Sequence, residues 1–463
     1  MSLFQGLEIG KRALLTHQLS MSTIGHNMAN VSTPGYSRQR VNATSTRPHE
    51  TANYNIGSGV TISGVTSVRD FFLTAQYRSE NKSLGEWASR EKALGQIETF
   101  FNEPNDEGLG NVLNEFWSSW SDLSANPESM AARSAVIAKS NSLVTSFHSL
   151  DRQLLNLQTS TDQDVVNAVG QINLYAQEIA NLNRIVVGEE LGAATANDSR
   201  DQRDLLLDEL SSLVDVTTID QSDGSVSVFI SGLALVEKAD TFNLGTKLNT
   251  SGRQAKHDIV WQGTTTNVKI TGGQLKGLVT TRDEVVTQFQ TQLDEMASAL
   301  IENVNTLHRA GSGLDGSGGL NFFNSRFDSA GTLQLETALV NDASLIAASA
   351  SGAPGDNAVA LDIADLSKAT VMSYGTATMS EYYNSMIGTI GVNSYEAKMF
   401  KGNYEVLVEQ IENSRQSVQG VNLDEEMAEM VQAQHAYNAA ARVITMMDEA
   451  LEVLINGTGV VGR

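Results

Sequence analysis

The chain has 463 residues with 41% hydrophobic content, enough for about three ordinary domains with real cores. Its 31 basic and 54 acidic residues leave a formal charge of −23, which excludes a general grip on nucleic acid through phosphate neutralisation unless a local basic patch defies the total. No cysteine occurs, so disulfide scaffolds, thiolate zinc sites, iron–sulfur clusters and cysteine nucleophiles are excluded as well.

Residues 2 to 30 read as one helix opened by a capping box between Ser2 and Gln5. Leu7, Leu14, Met21 and Met28 recur every seven residues, with Leu3, Ile24 and Val31 flanking them and Gly10 and His17 as two weak points. This heptad seam suits either a coiled coil between molecules or a helix docked on its own core. No apolar run follows Lys11 and Arg12, so no cleaved leader is expected, and no window of 18 apolar residues predicts a membrane span. The helix ends in ANVSTPGYSRQRV, residues 29–41, where Pro34 forces Thr33 into an extended conformation. Thr33, Pro34, Gly35 and Tyr36 then predict a type II turn with Gly35 at positive φ.

Residues 70–100 read as a helix capped by Asp70, with Phe71, Leu84, Trp87, Leu94, Ile97 and Phe101 among polar spacers. A second helix, Gly110 to Pro127, carries Phe116, Trp117, Trp120 and Leu123, and the pair of tryptophans three apart reads as core. A longer helical pattern resumes at Glu128 and runs past Leu157 toward Val187, and NDSRDQRDLLLDELSSLV, 197–214, is a further helix with a charged first half. The period then changes: Val226, Val228 and Ile230 alternate with Ser225, Ser227 and Phe229 after Asp223 and Gly224, predicting a hairpin, and strand-like runs continue to about Ile270. Helix returns from Gly277 to His308, a glycine-rich loop follows, and helices dominate after Leu361, with Lys398 to Val418 as one long element.

The end of the chain repeats the heptad theme. From Leu423 through Met427, Met430, Gln434, Tyr437, Ala441, Ile444, Asp448 and Leu451 to Ile455, the spacing alternates four and three over about 50 Å of helix, with Gln434 and Asp448 interrupting an apolar stripe. Two such helices at opposite ends of a chain each leave a long apolar stripe wet, so they are expected to pair with one another, with neighbouring copies, or both. Charge favours the pairing, since residues 1–50 hold five basic and two acidic residues and residues 420–463 hold two and seven.

No catalytic constellation emerges. Gly311, Gly313 and Gly316 spell a nucleotide-loop pattern, but they follow a helix rather than a strand. Asp220, Asp223 and Gly224 hint at a calcium loop, yet Ser231 stands where a bidentate Glu is needed. The seven histidines are isolated, and Asp424, Glu425, Glu426 and Glu429 read as solvated acids at a helix N-terminus. No cofactor and no metal are expected.

The termini also carry a resemblance. SLFQGLEIGKRALLTHQLSMSTIGHNMANVSTPGYSRQRV is similar to the opening of the flagellar rod, hook and hook-associated axial proteins, with ANVSTPGY the form of their shared motif. WSDLSANPES with Arg133, NDSRDQRDLLLDELS, GGQLKGLVTTRDEV, VNTLHRAGSGLDGSGGLNFF and GVNLDEEMAEMVQAQHAYNAAARVITMMDEALEVLIN narrow this to the hook-associated protein 1 family. The resemblance implies a non-enzymatic subunit of the first hook–filament junction that joins hook to filament and permits filament assembly; the alternative is another axial subunit of hook or distal rod. It further implies a ring of about eleven copies, contacts to hook protein and to hook-associated protein 3, and a cytoplasmic chaperone on the C-terminal region. Export would run through the flagellar type III apparatus without a cleaved signal, leaving the protein extracellular, with no nucleic acid bound and no membrane insertion.

The expected architecture is mainly α with a small β domain, built of discontinuous nested domains. Residues 1–35 with 421–463 form an inner coiled coil of the N- and C-terminal helices, 36–215 with 276–420 a mostly helical middle, and 216–275 a small β-rich outer domain whose modest size sets this chain apart from relatives with larger insertions. Candidate subunit contacts are Leu7, Leu14, Met21, Met28, Leu423, Met427, Met430, Tyr437, Ile444 and Leu451, and the turn motif comprises Ala29, Asn30, Thr33, Pro34, Gly35 and Tyr36.

Overall fold

The structure, a computed structural model, describes residues 3–50, 55–101, 108–192 and 194–457 and is 64% helical. The capping box at Ser2 lies outside the described residues. Helix α1 (Leu3–Ala29) stops in the expected turn: Tyr36 N–H donates to the Thr33 carbonyl at 3.2 Å and Gly35 sits at φ 76°, a conformation open to glycine at no steric cost. Four strands then follow that were not read from the sequence, β1 (Gln39–Ser45), β2 (His49–Glu50), β3 (Asn55–Ile56) and β4 (Val60–Ser67), so the first part of the middle region is extended rather than helical. β1 pairs antiparallel with β4, Gln39 opposite Ser67, and β2 with β3. Most of β1 is exposed, and among its seven residues only Val41 and Ala43 are apolar, so its period-two apolar signal is weak.

The helical body begins with α2 (Phe71–Phe101), where the Asp70 carboxylate accepts from the N–H groups of Phe72 and Leu73 at 2.8 and 3.2 Å as an N-cap. It continues with α3 (Leu109–Ala125), the 61-residue α4 (Met130–Glu190) and α5 (Asn197–Leu213). At 1.5 Å per residue α4 is about 90 Å long and serves as a spine. The β meander is β5 (Val216–Asp220), β6 (Val226–Ile230), β7 (Leu233–Glu237) and β8 (Asp240–Thr241), beside a separate hairpin of β9 (Leu244–Asn249) and β10 (Lys256–Trp261). Helix α6 (Gly273–Thr280) passes through a π-helical turn at Thr281–Val285 into α7 (Val286–Ala310). Short α8 (Thr337–Asn341) and α9 (Ala358–Asp365) precede α10 (Met379–Gln419) and α11 (Leu423–Gly457). α10 starts well before Lys398 because Thr378 and Glu381 form a capping box, with Glu381 N–H donating to the Thr378 hydroxyl and Thr378 N–H to the Glu381 carboxylate.

Two cores flank the spine. The larger joins α2, α3, the first half of α4, α7, α9 and the start of α10, and Phe116, Trp120 and Phe322 are fully buried within it. The smaller sets Val165–Ala180 of α4 against α5, α6 and the apolar faces of β6, β7 and β10, so the β segment borrows helical partners rather than closing a core of its own.

His308 makes the larger core sensitive to pH. Its Nδ1–H donates to the Leu320 carbonyl at 2.8 Å and its Nε2 accepts from Ala347 N–H at 2.9 Å, so both nitrogens are used in the neutral form. Burial, aided by Arg133, lowers its pKa from 6.5 to about 4. Above pH 6.5 the imidazole is neutral in folded and unfolded chains alike; between 6.5 and 4 the unfolded chain alone takes up the proton. Stability is therefore expected to fall as pH drops through that window, by about 1.4 kcal/mol per unit and roughly 3 kcal/mol in all. Urea midpoints of the native chain and His308→Gln at pH 7 and pH 4.5 check this: a pH loss equally large in the variant assigns it to other groups.

Candidate subunit interface

α1 and α11 lie side by side and antiparallel. Gly6 faces Met447, Gly10 faces Ile444 and Asn27 meets Glu426, so the register holds constant over six turns. The intramolecular seam is made mostly of small and polar residues, with Ile24 buried among them and Met447 and Ile444 packed on Gly6 and Gly10. On α1 the buried positions are Gly6, Gly10, Thr16, Thr23, Ile24 and Asn27, and on α11 they are Glu426, Ala433 and Ala440. Side chains this small let two backbones approach closely, and they draw the seam toward themselves.

Leu7, Leu14, Met21 and Met28 are half-buried along the pair, as are Met430, Tyr437 and Leu451, while the half-buried Ile444 packs on Gly10 within the seam. Leu423 and Met427 are 44% and 55% exposed. Gln434 and Asp448 are exposed too, at the edge of the contact. The far end of the pair adds Phe4, Met446, Val453 and Ile455, all at least 65% exposed, so one chain leaves these large apolar side chains wet.

At its root the pair is tied to the body by a polar knot built around the turn motif. Asn27 uses its whole amide: Nδ2 donates to the Gln39 carbonyl and to Glu426 at 3.0 Å each, while Oδ1 accepts from the Tyr36 hydroxyl at 2.8 Å and from Gln39 N–H at 2.9 Å. Arg38 N–H donates to the Gln419 carbonyl at the end of α10, and the Arg38 guanidinium meets Glu425, Glu426 and Glu429 at 2.9, 2.7 and 2.9 Å. Ser37 N–H and Arg69 both reach Asp201 on α5; Arg69 continues to Asp204, Arg78 to Asp204 and Asp208, and Arg415 of α10 to Asp208. Burial, with Asp198, Asp201 and Glu426 nearby, raises the Tyr36 hydroxyl above its ordinary pKa, so it stays a donor.

Of the motif residues, Tyr36 and Asn30 are half-buried and Ala29, Thr33, Pro34 and Gly35 are exposed. The reading of Glu426 as a solvated helix-end acid is corrected, since its side chain is fully buried; the side chains of Glu425 and Glu429 do stay exposed, and all three meet Arg38 across about 390 residues of sequence. No local spacing marks Asn27, Arg38, Gln39 or Asp201, and none marks Glu426 as buried. The spare opposite charges of the two termini were the one available signal, and they do name this partnership. Among the described residues no three His, Asp or Glu side chains are grouped to hold a metal ion, and no helix is long and apolar enough to cross a membrane.

Comparison with known proteins gives the same direction at sequence and fold level. A family model described as the helical domain of the flagellar hook-associated protein FlgK matches residues 94–323, and one for the C-terminal part of the flagellar basal body rod FlgEFG proteins matches 407–457. The chain is 33% identical to flagellar hook-associated protein 1 of Bacillus subtilis (strain 168), over 100% of both chains. It is 25% identical to the protein of that name from Escherichia coli (strain K12), over 95% of this chain and 97% of the other. Among solved structures, the flagellar hook junction protein FlgK from Burkholderia pseudomallei superposes with a TM-score of 0.68 at 17% identity, covering 74% of this chain and 100% of that one.

Proposed function

With this chain a member of the flagellar hook-associated protein 1 family, and so a structural protein of the bacterial hook–filament junction, we propose that its terminal helix pair makes the subunit contacts that join hook to filament. The observation that carries this reading is the placement of the large apolar residues. Leu7, Leu14, Met21 and Met28 on α1 and Met430, Tyr437 and Leu451 on α11 stay half-exposed along the pair, Ile444 packs on Gly10, and Leu423 and Met427 are 44% and 55% exposed. A pair that closes largely on glycine, alanine and threonine leaves much of its bulky apolar surface, Leu423 and Met427 above all, for other copies.

In this account residues 1–35 with 421–463 form the inner wall of the assembly, 36–215 with 276–420 the helical shell around it, and 216–275 a β-rich outer part. The partners are further copies, in a ring of about eleven, together with hook protein on one side and hook-associated protein 3 on the other. The C-terminal region is held by a cytoplasmic chaperone before export through the flagellar type III apparatus. The lack of cysteine suits that route, because no disulfide can form in transit. No catalytic step is assigned to the chain. Deleting the gene in its source bacterium tests the reading: electron microscopy is expected to show bare hooks, with flagellin shed into the medium. Cells lacking hooks altogether would move the protein upstream, to rod or hook.

A further inference from the structure

The connection between α9 and α10 ends in a turn whose backbone runs against the preference of its residues. Ser373 and Tyr374 stand at φ 49° and 57°, followed by Gly375 at 84°. Glycine or asparagine is the ordinary occupant of such positions, and a bulky tyrosine there is an outlier. The turn is nonetheless tightly made. Met372 N–H donates to the Ala377 carbonyl at 2.9 Å, the N–H groups of Gly375 and Thr376 return to the Met372 carbonyl at 3.0 and 3.1 Å, and the Thr376 hydroxyl donates to the Ser373 carbonyl at 2.8 Å. Both stems are nailed to the larger core through Met372 and Met379, which are 4% and 2% exposed. Tyr374 itself is 109% exposed, more open than in a reference peptide. Its ring gains nothing from its own chain, while its backbone is held in a costly conformation.

We propose that Tyr374 is a pre-organised contact knob that seats in a neighbouring copy of this chain. Strained local geometry around an exposed side chain points outward, to what the side chain meets. Tyrosine is enriched at the centres of protein interfaces and charged residues are depleted there; a rigid turn also loses little freedom on docking. The choice of a second copy rests on charge. Each chain carries −23, so copies repel unless they touch through neutral surface, and the stretch from Ala369 to Ser380 holds no charged residue. The inference rests on the junction reading above, which supplies neighbouring copies.

Tyr374→Asn separates contact from fold, because Asn followed by Gly375 is the dipeptide such a turn favours. The free variant is expected to melt no lower than the native chain, while the copy-to-copy contact weakens about thirtyfold, as for loss of an aromatic hot spot. In the deletion strain this reads out as fewer filament-bearing hooks. Benzoylphenylalanine placed at 374 and irradiated in assembled flagella is expected to cross-link to a second copy. A lowered melting temperature for Tyr374→Asn would make the residue structural, normal filament numbers would remove the contact, and a cross-link to a different axial protein would overturn the choice of partner. Restoration of filaments by the native gene in the same strain reports on the junction role separately.

Discussion

Replacing Glu426 with alanine is expected to release the terminal helix pair from the body at a cost of about 3–5 kcal/mol. The Glu426 side chain is 0% exposed and that of Arg38 8%, so the change strands a buried guanidinium rather than deleting a surface contact. The remaining partners, Glu425 and Glu429, are 60% and 43% exposed and cannot replace an enclosed carboxylate. Asn27 loses one of its two Nδ2 acceptors at the same time. By contrast, Glu425→Ala is expected to cost less than about 1 kcal/mol, the ordinary worth of an exposed ion pair. Hydrogen exchange checks both: amides of α1 and α11 should exchange faster in Glu426→Ala while the centre of α4 stays protected. Unchanged protection in the terminal helices would remove the knot from its proposed place at the root.

Trp120→Ala is expected to destabilise the helical body by about 3–5 kcal/mol, the range for emptying a large aromatic site in a packed core. Trp120 is 0% exposed, packs edge-on to Phe322 with ring centres 5.1 Å apart, and lies 6.5 Å from His308. Its neighbours thus come from α3, the end of α7 and the loop after it, segments some two hundred residues apart. The damage should therefore appear on both sides of the β segment, as a lowered urea midpoint read jointly by tryptophan fluorescence and by exchange in α7. Confinement of the change to α3 would mean that the discontinuous segments do not share one core.

These two sites differ in how far the sequence revealed them. Trp117 and Trp120, three apart among apolar neighbours, read as core because helical periodicity is a local signal. The Asp70 cap and the Pro34–Gly35 turn were legible for the same reason. α11 was legible as a heptad helix, yet its seam lies one step round from the apolar stripe, on Glu426, Ala433 and Ala440 rather than Leu423, Met427 and Gln434. Apolar spacing locates the greasiest stripe, whereas close packing selects the smallest one. Glu426 reads as a solvated acid from sequence because its partner lies at position 38, and no local spacing links residues so distant. β1 carries little apolar alternation and is held by backbone pairing to β4, whereas Val60 and Ile62 of β4 do alternate with Thr61 and Ser63, a short signal that Gly64 interrupts.

Bulky residues of the terminal helix pair, one beside the seam and one packed in it, carry the proposed junction role. Leu14→Asp and Ile444→Asp, each expressed in the deletion strain, should yield exported chain with a folded helical body that fails to appear at hook tips in immunogold electron microscopy, because Ile444 abuts Gly10 and a carboxylate at either position disrupts both the pair and its rim. Incorporation of both variants at the native level, with filaments restored, would contradict the claim that the terminal helices build the junction.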